Sequence, residues 1–195
     1  VSKVYQHWAD ATGPLDPAGN WNNNILSANK SEYSEGEVIP HVYVYQPSGK
    51  TPLQMGPTYT ITITYNHYQP NTNAGGFVGL DSYNKSRDTD LSHAANLSPF
   101  SGKEIKADSW SSSTDGMKGL FYTVDATITA VSKAEDINGG NDQQVTVSFT
   151  YNPGANPTGY AEIYYGLTIA KPDDIAGHPN SLGAHAWTGG SLQTT

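Results

Sequence analysis

Between Thr58 and Tyr65 the chain alternates without a break. Tyr59, Ile61, Ile63 and Tyr65 fall on one side, and Thr58, Thr60, Thr62 and Thr64 on the other. A two-residue period belongs to a β-strand, and a threonine-rich second side marks a strand with only one face buried. The same reading predicts a strand from Leu120 to Val131, with Tyr122, Val124, Ala126, Ile128 and Ala130 facing inward. Val145, Val147, Phe149 and Tyr151 define another, and Ala161, Ile163, Tyr165, Leu167 and Ile169 a further one. Val38 to Tyr45 reads as a strand whose Pro40 sets its first part at an edge or bulge, because proline cannot donate to a ladder. Shorter strands are predicted at Phe77–Tyr83 and, at the amino terminus, Val1–Trp8. Helical periodicity is nearly absent.

Turn-forming clusters separate these runs: Pro47 to Lys50, Asp136 to Asn141 and Asn152 to Pro157. Asn138-Gly139, between the runs ending at Val131 and starting at Val145, predicts a hairpin with a loop longer than two residues. Short connections imply antiparallel neighbours. The expected fold is therefore all-β, an antiparallel β-sandwich of about seven or more strands with long loops. Ser82 to Ser113 is polar and irregular, with Leu91, Leu97, Phe100 and Ile105 as its apolar anchors. With neither a linker nor a repeat, residues 1–195 read as a single domain, in which 1–20 form an N-terminal extension able to donate a strand.

Composition narrows the class. Only 14% of the 195 residues are charged, the net charge is −8, and the chain carries 13 tyrosines and 20 glycines. That balance is polar, uncharged and strand-prone. No basic stripe exists to meet a phosphate backbone, so no nucleic-acid partner is expected. No run of 18 apolar residues exists, so no membrane span is expected. Cysteine is absent, which leaves cohesion to burial, backbone hydrogen bonds and contacts between copies. A chain opening at Val1 is read as one from which a leader was removed, and the expected location is extracellular, at the cell surface.

Candidate chemistry is sparse. Asn29, Asn84 and Asn96 open Asn-x-Ser/Thr sequons in loop segments and are candidate glycosylation sites; Asn156 is excluded by the proline that follows it. His178 and His185 match no zinc-ligand spacing. The loop Asp136–Asp142 and the acids Asp81, Asp88 and Asp90 offer oxygen donors of the kind calcium takes, without the EF-hand pattern. No cofactor is expected beyond that calcium candidate. Nucleophile elbow, P-loop and paired-cysteine motifs are missing, so the chain is not read as an enzyme. Trp8, Trp21, Trp110 and Trp187 all fall in or beside loops. Trp110 and Trp187 are the candidates for stacking on sugar rings, and a half-buried plug beneath a loop is the competing role.

Two stretches resemble a known module when taken together. The first is Trp21 to Pro40, WNNNILSANKSEYSEGEVIP; the second is Tyr165 to Ala170, YGLTIA, followed by WTGGSL at Trp187 to Leu192. They are similar to a module of prokaryotic secreted and cell-surface proteins. It opens roughly as W-x-N-x-x-L-x-x-N-x-x-Y-x-E-G-x-x-x-P and ends in G-x-x-x-A and G-x-S-L elements. Gly75 to Tyr83 fits its middle, and residues 1–20 stand outside it. The resemblance implies an extracellular, β-rich structural or adhesive role and carries no catalytic residues. The expected function is a structural subunit of a filament, pilus or sheath, its partners being copies of itself. Val1, Val4, Tyr5 and Trp8 would form the assembly strand added to a neighbour's sheet. The alternative is a carbohydrate-binding or adhesin module whose partners are cell-surface glycans.

Overall fold

The computed structural model describes residues 2–9, 20–22, 33–46, 51–82, 106–111, 118–155, 157, 159–188 and 192–195. Among them the chain is all-β. Every strand pairing is antiparallel, and helix is confined to two single 3-10 turns, Asn138–Gly140 and Ala184–Ala186.

The larger sheet runs β2 (Asn20–Asn22), β1 (Ser2–Ala9), β3 (Val38–Gln46), β13 (Ala161–Ile169), β9 (Lys118–Val124), β8 (Lys106–Ser111). β7 (Phe77–Asp81) pairs with the far end of β13. The smaller sheet is built around β12 (Asp142–Tyr151). On one side β12 meets the full length of β4 (Thr58–Asn66); on the other it meets β10 (Ala126–Val131) and then β11 (Glu135–Ile137). A third, two-stranded sheet joins β5 (Tyr68–Gln69) to β6 (Ala74–Gly75).

Both larger sheets turn side chains into one apolar cluster. Ile39, Tyr43, Ile163, Tyr165 and Leu167 come from the first, and Ile61, Ile63, Val145, Val147 and Phe149 from the second. Those from β4, β12 and β13 are among the inward positions predicted for these strands. Aromatic rings lock the two sheets at both ends of the cluster. Phe149 lies 5.7 Å from Tyr59, stacked, and 5.4 Å from Tyr45, edge-on. At the other end Phe77 meets Tyr65 and His41 edge-on, both at 6.4 Å, while His41 stacks on Tyr165 at 5.3 Å. Such offset and edge-on pairs contribute beyond simple area burial. Burial also pushes the Tyr43 hydroxyl up to about 12, with Tyr45 adding to the effect, so it stays neutral across the physiological range.

Three expectations change. Leu120 to Val131 is two strands rather than one. Asp125 takes a left-handed conformation (φ 55°), and the chain passes there from β9 in the larger sheet to β10 in the smaller. The inward set shifts accordingly: Phe121, Ile128 and Val131 reach the core, whereas Ala130 is exposed after a register slip between Ile128 and Ala130. A two-residue alternation cannot survive a turn and a bulge, each of which reverses the side that follows.

Pro40 lies inside a central strand, not at an edge. It is opposite Gly166 on β13, and β1 pairing ends one residue away at His7–His41. Ile169 N–H donates to Glu37 O, so odd-numbered residues of β3 aim their polar groups at β13. The nitrogen of Pro40 therefore turns toward β1, where that ladder stops, and takes nothing from the pairing with β13.

β3 and β13 are also buried on both faces. Val42, Val44, Glu162 and Tyr164, on the side away from the shared core, are as inaccessible as Tyr43 and Ile163. The hairpin at Asn138-Gly139 is present as predicted: both residues have positive φ, and Ile137 faces Asp142 across the turn.

One pairing was not foreseen. The last residues return to β4: Thr64 and Thr195 exchange N–H···O bonds of 2.8 Å, and Asn66 N–H reaches Gln193 O at 3.0 Å. Truncating the fully buried Ile63 to alanine is expected to cost about 2–5 kcal/mol, read as a lower denaturant midpoint with an unchanged slope.

Candidate functional site

The expected assembly strand is β1, Ser2–Ala9. Val1 and the sequons at Asn29, Asn84 and Asn96 lie outside the described residues. β1 pairs with β3 of the same chain from Ser2–Gln46 to His7–His41, with Val4 opposite Val44 and Tyr5 opposite Tyr43. Its other side carries β2, where Trp8 is directly opposite Trp21. Two of the four tryptophans thus occupy neighbouring register positions near one end of the larger sheet.

Trp110 belongs to a strand rather than a loop. It sits in β8, opposite Gly119, at the other edge of the same sheet. Trp187 follows the 3-10 turn Ala184–Ala186, is half-buried, and donates its backbone N–H to Ala184 O at 3.1 Å.

The motif residues behind the resemblance converge at the end of β13. Glu35 Oε1 accepts both the backbone N–H of His185 (2.7 Å) and its ring Nδ1–H (2.6 Å). Burial works against ionisation of Glu35, yet the bonds and charge of His185 outweigh it and hold the carboxyl below its ordinary value. Beside it Gly36 adopts φ 83° and donates to Ile169 O at 2.8 Å. Ala170, next along, is bonded to both Gly76 and Ala184. Two further glycines are fixed by close approach. A Cβ on Gly166 would stand 2.3 Å from Val38 Cγ1, and one on Gly183 would stand 2.2 Å from Glu35 Oε1. The Glu-Gly turn, the G-x-x-x-A strand end and Gly183–His185 therefore form one knot, and sequence alone had no means of joining residues so far apart.

The loop Asp136–Asp142 has much of its oxygen capacity engaged. Asp142 accepts from the side chains of Asn66 (2.8 Å) and Asn138 (2.6 Å), and Asp136 from that of Gln143 (2.9 Å). Asp81 accepts from Ser82 N–H and the Thr168 hydroxyl. Among the described residues no three His, Asp or Glu side chains come together as a metal site, and Asp88 and Asp90 lie outside that set. His178 stacks flat on Tyr68 at 3.7 Å, and His185 is the partner of Glu35. Glu162, fully buried, accepts the hydroxyl of Tyr164. No described helix is long and apolar enough to cross a membrane.

Compared with known family models, curated proteins and solved structures, the chain matches none.

Two outcomes follow for this region. Gly183→Ala and Glu35→Ala should each cost about 1–2 kcal/mol, because both break the carboxylate contact with His185. The double variant should cost no more than the larger single loss, as a thermodynamic cycle would register. His67 provides a pH test. Burial lowers its pKa, against the bond between its ring and Phe77 O, so the unfolded chain binds the proton more readily. Its contribution is complete above the unfolded value near 6.5 and is lost as pH falls through the lower folded one. Thermal midpoints should therefore drop between pH 7.5 and 5.5, and less so in His67→Gln. Equal drops in the two proteins would clear His67.

Proposed function

We propose that the chain is a structural subunit of an extracellular filament, pilus or sheath, joined to its neighbours by exchange of β1. The observation that carries this reading is the place of β1, the first described strand, attached to the central strand β3 by a regular ladder. A copy's β1 can offer β3 the same backbone groups and the same side chains. Exchange then replaces each internal pair with an identical external one, so its free-energy cost is small and concentration decides the outcome. Head-to-tail repetition of the step does not close and generates a fibre. The absence of cysteine is compatible with this mode, since a ladder needs no covalent link. Each ladder bond contributes on the order of 1 kcal/mol net. The likeness of Trp21–Pro40, Tyr165–Ala170 and Trp187–Leu192 to surface modules points the same way.

The deciding experiment is removal of residues 1–8. The shortened chain should give no threads in negative-stain micrographs, and a synthetic peptide of residues 1–9 should bind it and keep it soluble as single particles. Threads formed by the shortened chain would end the proposal. The carbohydrate-binding alternative would gain if glycan binding were found and then lost in Trp110→Ala or Trp187→Ala.

A further inference from the structure

Among the described residues, the smaller sheet ends in an edge that carries no further strand and none of the usual defences. The bonds of Thr64 and Asn66 to the carboxy-terminal residues fix which groups of β4 point away from β12: those of the even-numbered residues. By the alternation of the ladder, the N–H and C=O groups of Thr58, Thr60 and Thr62 point the same way. Among the described residues no strand lies on that side of them, and all three residues are exposed. Edges of this kind are ordinarily protected by a charge, an internal proline or a bulge. β4 has none of these: its sequence is TYTITITYN, and its register against β12 runs unbroken from Thr58 to Asn66.

We infer that this edge is a contact between two copies of the chain, β4 against β4, antiparallel about a twofold axis at Thr60. Three observations select a second copy as occupant. The open stretch is self-complementary: turned about Thr60, it sets Thr60 opposite Thr60 of the second copy and Thr58 opposite Thr62. Its ends also match, because Pro57 has no N–H to offer beyond Thr58, and Thr195 already occupies Thr64 beyond Thr62. Finally, in a chain of net charge −8 this is an uncharged strip, where two acidic molecules can approach. Its cross-strand neighbours on β12, Thr146, Ser148 and Thr150, are neutral as well. Each opposed pair exchanges two backbone bonds, about six in all, and the two smaller sheets become one. The pairing needs nothing from β1, so it and the strand exchange stand or fall separately.

The absence of native cysteine makes a register-specific test available. Hydrogen-bonded antiparallel partners have Cα atoms about 5.5 Å apart, within disulfide range. Thr60→Cys in the full chain should therefore give a covalent dimer under mild oxidation. Thr58→Cys alone and Thr62→Cys alone should not, since like positions would be about 13 Å apart. A mixture of those two variants should cross-link to each other. A monomeric Thr60→Cys protein, or equal cross-linking by all three variants, would overturn the inference. As a check without cysteine, Thr60→Lys places like charges face to face and should weaken self-association up to about fivefold in sedimentation equilibrium. Unchanged association would count equally against it.

Discussion

Strand β13 is the described strand on which the larger sheet most depends. It is paired with β3 along one side and with β9 and β7 along the other, and it is buried at every position except Thr168. Its odd-numbered residues, Ala161 to Ile169, form the floor of the shared core. Its even-numbered residues Glu162 and Tyr164 lie buried on the reverse side. Its end is where the Glu35–His185 contact, the left-handed Gly36 and the bonds of Ala170 are gathered. Without cysteine, the cohesion of the two sheets rests on apolar burial and on ladders meeting at this strand.

The strands with one solvent face were legible because their chemistry alternates as their geometry does. Thr58–Tyr65 and Val145–Tyr151 are such cases, and their inward residues are those found in the core. Where both faces are buried, the rule loses its contrast. Val42 and Val44 left a continuous apolar run as a signal, but Glu162 within β13 gave none, since a carboxylate in a strand ordinarily marks the wet side. The break at Asp125 was hidden for another reason. The alternation continues through it in the sequence while the backbone changes sheets, and an aspartate is a tolerable residue at positive φ.

The candidate site divides in the same way. A terminal strand could be read from Val1–Trp8; its partner β3 could not, because cross-strand register depends on residues in another part of the chain. The roles of Glu35 and Gly183 were equally inaccessible, being a contact between positions at opposite ends of the chain. Tail pairing at Gln193–Thr195 left no pattern, since a short polar segment looks the same whether or not it is hydrogen-bonded.

The order of the larger sheet has a kinetic consequence. β3 is flanked by β1, near the start of the chain, and by β13, which begins only at Ala161. During synthesis β1 and β3 must wait for more than a hundred further residues, until Ala161–Ile169 is made, before the middle of the sheet can close. Closure between such remote segments is slow, on the order of milliseconds to seconds. For that interval β3 has at most one of its two ladder partners, β1, and a crowded population of nascent copies offers it equivalent ones. Local chain density at the moment of maturation, rather than final stability, then governs which partner it takes.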